Sequence, residues 1–184
     1  MSFETDHREK FQNLAVALAE ENRDNIRIEA NGGNSVLFVY PPKDELKYIE
    51  KARENYPNAE FIDVREALVE FIDSIGWNDF EDYYKGYQTE PENIFRDSEE
   101  EKKMESLIIE KIKKAIDDDK LPFLIHTGAL FGTEIENVHI MENSDVMKFG
   151  IPLVVFYPAV VQPDGQLKYL GFRPASKYRC KLVK

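Results

Sequence analysis

Cysteine is almost missing from this chain of 184 residues: Cys180 is the only one. No internal disulfide can form, a zinc site built on two or four cysteines is excluded, and a reducing compartment fits. Long apolar runs are also absent, since none approaches the roughly 20 residues a bilayer-crossing helix needs. The first ten residues, Met1 to Lys10, are charged rather than apolar, so no secretory leader is read there and a cytoplasmic location is expected. Positive charge is scarce: 24 Lys and Arg face 35 Asp and Glu, a net charge of −11. Direct nucleic-acid binding is therefore not expected, because phosphate neutralisation needs clustered Lys and Arg. The locally basic C-terminus (Lys177, Arg179, Lys181, Lys184) reads as solvated ends.

Catalytic signatures are equally sparse. No Gly-x-x-x-x-Gly-Lys-Ser/Thr loop occurs, no His-Glu-x-x-His pair, and no serine stands in a Gly-x-Ser-x-Gly elbow. Asn31-Gly32-Gly33-Asn34 resembles a phosphate loop only superficially. Such loops follow a strand and open a helix, whereas this one precedes a strand, so it reads as a turn. No catalytic residue, metal ligand set or cofactor is assigned, and an enzyme is not the expected reading.

What is present builds a core. Hydrophobic residues make up 42%, with 12 Phe and 9 Tyr, and no composition break divides residues 1–184, which read as one domain. Phe11, Leu14, Ala15 and Leu18 predict an amphipathic helix over about 6–22, within an N-terminal lead-in of residues 1–30. Val36 to Tyr40 is the first core strand, ended by Pro41-Pro42; the next helix carries Leu46, Ile49, Ala52 and Tyr56. A short strand, Phe61 to Val64, precedes a helix with Leu68, Phe71, Ile72 and Ile75 that Gly76 stops. Ser98-Glu99-Glu100-Glu101 has the form of a capping box for a long helix with a core face of Met104, Leu107, Ile108, Ile112, Ala115 and Ile116. Asp117-Asp118-Asp119 opposes the dipole at its end and predicts fraying.

The most informative stretch is Leu121 to Tyr157. Phe123-Leu124-Ile125 leads into His126-Thr127-Gly128, and Ile151 to Tyr157 is a second buried-strand signal that stops at Pro158. Two such runs a helix apart form a βαβ unit, hence a parallel sheet. Ala159-Val160-Val161 and Leu167 to Leu170, around Pro163-Asp164-Gly165, read as an edge hairpin. The expected fold is one three-layer α/β domain with a mostly parallel central sheet, Rossmann-like without a phosphate loop, and a C-terminal edge hairpin. Strands 36–40, 61–64, 122–126 and 152–157 are expected in the order 2-1-3-4.

Ligands of open parallel sheets sit beyond the carboxyl ends of the strands. A crevice is therefore predicted from Tyr40, His126, Thr127, Gly128, Tyr157 and Pro158, with His139 and Asn143 supporting it from one face of the following helix. The same two histidines and Asn143 also fit hydrogen-bonded core polar groups. The segment Trp77 to Phe95 is acidic and aromatic without clear period and is expected as short irregular helices. Trp77, Phe80, Tyr83, Tyr84 and Tyr87 form a candidate partner surface, since aromatics are enriched at interface centres. The alternative is that these rings close the domain's own core.

Several of these motifs together resemble the BrxB family of BREX (bacteriophage exclusion) defence systems. They are Phe123 to Phe131, then His139 and Asn143, then Pro152-Leu153-Val154-Val155-Phe156-Tyr157-Pro158, and Asp164-Gly165-Gln166-Leu167 with Leu170. Phe38 to Pro42 followed by Glu45 agrees more loosely, so the likeness spans most of residues 11–172 and is specific in the last third. The chain departs in having Ala159 after Phe-Tyr-Pro, extra residues before Asp164-Gly165, and Asn137 where the family has a basic residue. The resemblance implies a part in a multi-protein anti-phage assembly, in contact with a PglZ-like protein. A non-catalytic adaptor is the expected function. The competing expectation is a nucleotide- or phosphate-binding domain, or small hydrolase, using the Thr127-Gly128 turn.

Overall fold

All six residues of β1 (Ser35–Tyr40) are buried, as an apolar run covered on both faces requires. In the computed structural model, which describes residues 3–87, 89–90, 93–96, 103–175 and 178–184, β1 lies inside the sheet. β2 (Glu60–Asp63), β3 (Pro122–Ile125), β4 (Leu153–Val161) and β7 (Lys181–Val183) complete a parallel five-strand sheet in the order β2-β3-β4-β1-β7. β4 runs on past Pro158 to pair antiparallel with β5 (Leu167–Tyr169), with Ala159 opposite Tyr169 and Val161 opposite Leu167. β5 in turn pairs with β6 (Arg173–Pro174). The α/β class, the parallel sheet and the hairpin match the expectation.

The strand order does not. The expected 2-1-3-4 is replaced by 2-3-4-1, with β4 rather than β1 beside β3. Connection rules admit either order. Side-chain pairing separates them: Phe156 on β4 stacks on Phe38 of β1 at 4.8 Å and meets Phe123 of β3 at 5.6 Å. Phe61 on β2 extends this row at 5.0 Å from Phe123. Such cross-strand aromatic pairs contribute about 0.5–1.5 kcal/mol each beyond burial. The added strand β7 lies against β1 with Leu37 opposite Leu182, where Gly33 leaves room for the chain. A Cβ on Gly33 would stand 1.9 Å from the Arg179 carbonyl oxygen, so only glycine fits.

Period-two alternation divides β1 between two cores. Val36, Phe38 and Tyr40 face α1 (Phe3–Leu18), α2 (Arg23–Glu29) and α3 (Glu45–Asn55). Leu37 and Val39 face α4 (Val64–Ile75), α7 (Met104–Asp117), α8 (Asn137–Met141) and α9 (Ser144–Lys148). α1 ends at Leu18, short of the predicted residue 22, and Ala17 rather than Ala15 is buried. Leu46, expected on a core face, is 66% exposed, and Tyr48 takes its place inside. Gly76 stops α4 at φ +88°, as predicted. The supposedly irregular acidic segment forms α5 (Trp77–Gly86) and the short α6 (Asn93–Arg96). The predicted cap Ser98 to Glu101 lies outside the described residues, while the buried face of α7 is Met104, Leu107, Ile108, Ile112 and Ala115. α7 does not fray: Lys120 N–H donates to the Ala115 carbonyl and Asp119 N–H to that of Ile116, with Asp119 at φ +56°. No helix among the described residues is long and apolar enough to cross a membrane.

Candidate functional site

β1, β2 and β3 end at the same edge of the sheet and bring Tyr40, Asp63 and His126 together. His126 leaves β3 in the left-handed region (φ 55°, ψ 36°), a conformation His tolerates better than most residues but one that needs support. Two carboxylates supply it. Its Nδ1 lies 3.2 Å from Glu45 Oε2 at the start of α3, and its Nε2 lies 3.8 Å from Asp63 Oδ2. The Tyr40 hydroxyl donates to Glu45 Oε1 at 2.7 Å. Arg65 grips Asp63 from the other side: its Nη2 donates at 2.7 Å, its Nε at 3.1 Å and its backbone N–H at 2.9 Å. Asp63 thereby also caps α4.

Burial pushes the Asp63 carboxyl upward, but the two kinds of Arg65 hydrogen bond and the neighbouring His126 ring outweigh it and hold the group below its ordinary value. Burial, reinforced by Glu45, pushes the Tyr40 phenol well above its usual range, so Tyr40 acts as a neutral donor.

The neighbouring turn is closed. Thr127 is fully buried and its hydroxyl donates to the Phe156 carbonyl at 2.7 Å, while its own carbonyl accepts from the Tyr169 hydroxyl at 2.5 Å. A four-residue 3₁₀ turn (Thr127–Leu130), not an α-helix, follows His126. Leu170 and Pro158 cover Gly128, and the Leu170 N–H donates to the Pro158 carbonyl at 2.7 Å. The hairpin beyond β4 thus folds back over the strand ends.

The predicted crevice is corrected accordingly. Tyr40, His126, Thr127, Gly128, Tyr157 and Pro158 do share one edge, yet Tyr40 and Tyr157 lie in the two different cores and each is at most 1% exposed. What was expected as an open cleft is a packed junction. Two N–H groups of the Thr127-Gly128 turn are not available to a phosphate, since those of Ala129 and Phe131 are spent on the His126 and Gly128 carbonyls. His139 and Asn143 do not share one helix face or touch this edge. His139 Nδ1 accepts the Glu136 N–H in a capping box for α8, and Asn143 caps α9 through the Asp145 N–H. The break between α8 and α9 separates them.

Asp63 and Arg65 are junction residues that motif reading passed over, while Glu45 entered it only through the loose family likeness after Pro42. A strand-end Asp directly before a helical period is a helix-cap signal, and it points to Asp63. Nothing local places Glu45 against His126, 81 residues away. Chemically the junction can clamp three loop beginnings through a bridging imidazole. Among the described residues no group of three or more His, Cys, Asp or Glu is arranged to hold a metal ion.

The other candidate surface lies along α4 and α5. Trp77 is 66% exposed, Tyr84 51% and Tyr83 38%, whereas Phe80 is buried and Tyr87 half-buried. Phe80 meets Trp77 at 6.2 Å and Phe95 at 6.1 Å, and Phe95 reaches Phe71 in the core at 5.8 Å. The five predicted aromatics therefore divide: Phe80 anchors, Trp77, Tyr83 and Tyr84 face outward. On α4, an open groove of about 590 Å³ is lined by Asp63, Arg65, Glu66, Val69, Glu70 and Asp73, with Val69 56% exposed. The positive charges there are engaged: Arg65 by Asp63, Lys111 by Glu70 at 2.7 Å, Lys85 by Glu81 at 3.0 Å. What is left over is aromatic and acidic. Compared with known proteins, the chain matches no family model, no curated protein and no solved structure.

Proposed function

We propose that this chain is a non-catalytic adaptor of a bacterial, cytoplasmic anti-phage complex of the BREX type, and that it binds a PglZ-like protein through the outer faces of α4 and α5. The family assignment rests on the BrxB resemblance of Phe123 to Phe131, Pro152 to Pro158 and Asp164 to Leu167. The observation that carries the docking role is α5 itself. This ten-residue helix buries one side chain, Phe80, and leaves Trp77, Tyr83 and Tyr84 to solvent. A helix this short is marginal in water and draws its stability from a packed face. One anchor is a thin face, and a partner laid over the exposed rings would complete it. Exposed aromatics flanking an apolar patch are what interface centres are made of. The acidic surround favours a partner surface rich in Lys and Arg and fits an absence of direct nucleic-acid contact.

Binding of the purified chain to a PglZ-like protein, measured by biolayer interferometry, tests this reading. Trp77→Ala with Tyr84→Ala is expected to weaken binding by about tenfold or more, with thermal stability almost unchanged. Unaltered binding would remove α5 from the interface. Turnover of a nucleotide by the purified chain, lost on Thr127→Ala, would replace the adaptor with an enzyme.

A further inference from the structure

Beneath the C-terminal hairpin, on the face of the sheet away from Tyr40, lies a small cavity of about 30 Å³. Its walls are the rings of Phe131, Tyr157, Tyr169 and Tyr178 together with Asn137 and the Glu136–Arg173 pair. Tyr157 stacks on Tyr169 at 4.9 Å and meets Tyr178 edge-on at 5.6 Å, their hydroxyls 3.0 Å apart. Arg173 rests over the Phe131 ring at 5.9 Å and donates to Glu136 at 2.9 Å, so at the rim the two charges cancel.

Asn137 is 3% exposed, and its Oδ1 has no hydrogen-bond partner among the described residues. Its orientation follows from the network. The Tyr169 hydroxyl gives its proton to the Thr127 carbonyl, so its oxygen is left to accept from the Asn137 amide nitrogen. That fixes Oδ1 as the unused end. A buried acceptor without a donor costs about 1–3 kcal/mol, so the group demands an explanation.

We infer that this cavity is a binding site for a primary ammonium head group, held by Asn137 Oδ1 among the rings of Tyr157, Tyr169 and Tyr178. The chemistry is one-sided. The unused polar group is an amide oxygen, which can only accept, and the walls are largely aromatic, so a cationic N–H donor suits the space and an anion does not. The size is selective as well. The space holds one water-sized group, a size an ammonium matches, and is too small for a guanidinium or a quaternary amine. The head group could belong to a free small amine or to a lysine presented by another protein. Both share this chemistry, and the site does not depend on the α4–α5 surface.

The test titrates the full chain with methylammonium chloride, against sodium chloride and methanol at matched concentration, following the tyrosine ring resonances by NMR. Saturable shifts confined to Tyr157, Tyr169 and Tyr178, seen with methylammonium alone, are expected. Asn137→Leu, which removes the acceptor, should weaken the affinity about tenfold or more, and Asn137→Asp, which adds a charge, should tighten it. If Asn137→Leu fails to fold, Asn137→Asp against the unaltered chain carries the comparison. Tighter binding of Nα-acetyl-lysine amide than of methylammonium would assign the natural head group to a protein side chain; weaker binding would assign it to a free amine. Absence of saturable shifts, or equal affinity in the unaltered chain and in Asn137→Asp, overturns the proposal and leaves a cavity filled by water.

Discussion

The carboxyl edge of the sheet and the α4–α5 surface handle polar and aromatic groups in opposite ways. At the edge, Tyr40, His126, Thr127 and Tyr157 are buried, and their polar atoms are engaged by Glu45, Phe156 or Tyr178. On α5, Trp77, Tyr83 and Tyr84 face water around one buried anchor, Phe80. The edge drew notice in the sequence as the place where parallel strands end, and the Trp77 to Phe95 segment for its concentration of aromatics and acids. The difference teaches that satisfied polar groups inside a fold stabilise it, whereas unsatisfied apolar surface outside it is what a partner can use.

Mutation can break or sharpen that contrast. The largest effect is expected from Phe156→Ala, which empties a site between Phe38 and Phe123. A loss of about 3–5 kcal/mol in urea unfolding is expected; a loss below about 1 kcal/mol would mean the aromatic row does not hold the strand order. Tyr169→Phe is next. It leaves the Thr127 carbonyl without its donor under the hairpin, at an expected cost of about 1–3 kcal/mol. Hydrogen exchange at Leu170, whose N–H donates to the Pro158 carbonyl, should accelerate in parallel.

Acid titration sharpens the comparison further. The Asp63 pKa is lower in the folded protein than in the unfolded chain. Its ion pairing therefore contributes stability that is fully present above the unfolded value of about 3.9 and is lost as pH falls through the lower folded value. Asp63→Asn should flatten the stability profile below about pH 4 and lower the plateau above it. A profile of unchanged shape would show that the Arg65 and His126 contacts carry no net stability. The smallest effect belongs to the other surface: Trp77→Ala should change stability by less than about 0.5 kcal/mol, because the ring is mostly in water. A larger loss would make α5 part of the core.

Much of the fold was legible. The apolar runs Val36 to Tyr40 and Ile151 to Tyr157, the Gly76 stop and the turn at Pro163-Asp164-Gly165 all led to the elements that form. The site was legible only by position. Strand ends located the right edge of the sheet, but burial of Thr127 by Phe156 and Tyr169 closed what motif reading expected open. His139 and Asn143 looked like a helix-face pair at spacing four, yet each caps a separate short helix. Trp77 to Phe95 was expected as short irregular helices, but its regular ten-residue helix Trp77–Gly86 was not foreseen, because a helix with one buried residue, Phe80, has no apolar stripe to reveal it.

The sequence by itself determined the α/β class, the parallel strands and the hairpin, because periodicity and turn chemistry act over a few residues. Only the tertiary structure decided that β4 separates β3 from β1, that Glu45 and Asp63 flank His126, and that Trp77 stays outside while Phe80 goes in. Those outcomes depend on which distant side chains come to share one volume. That is a property of packing across the whole chain, and no local window contains it.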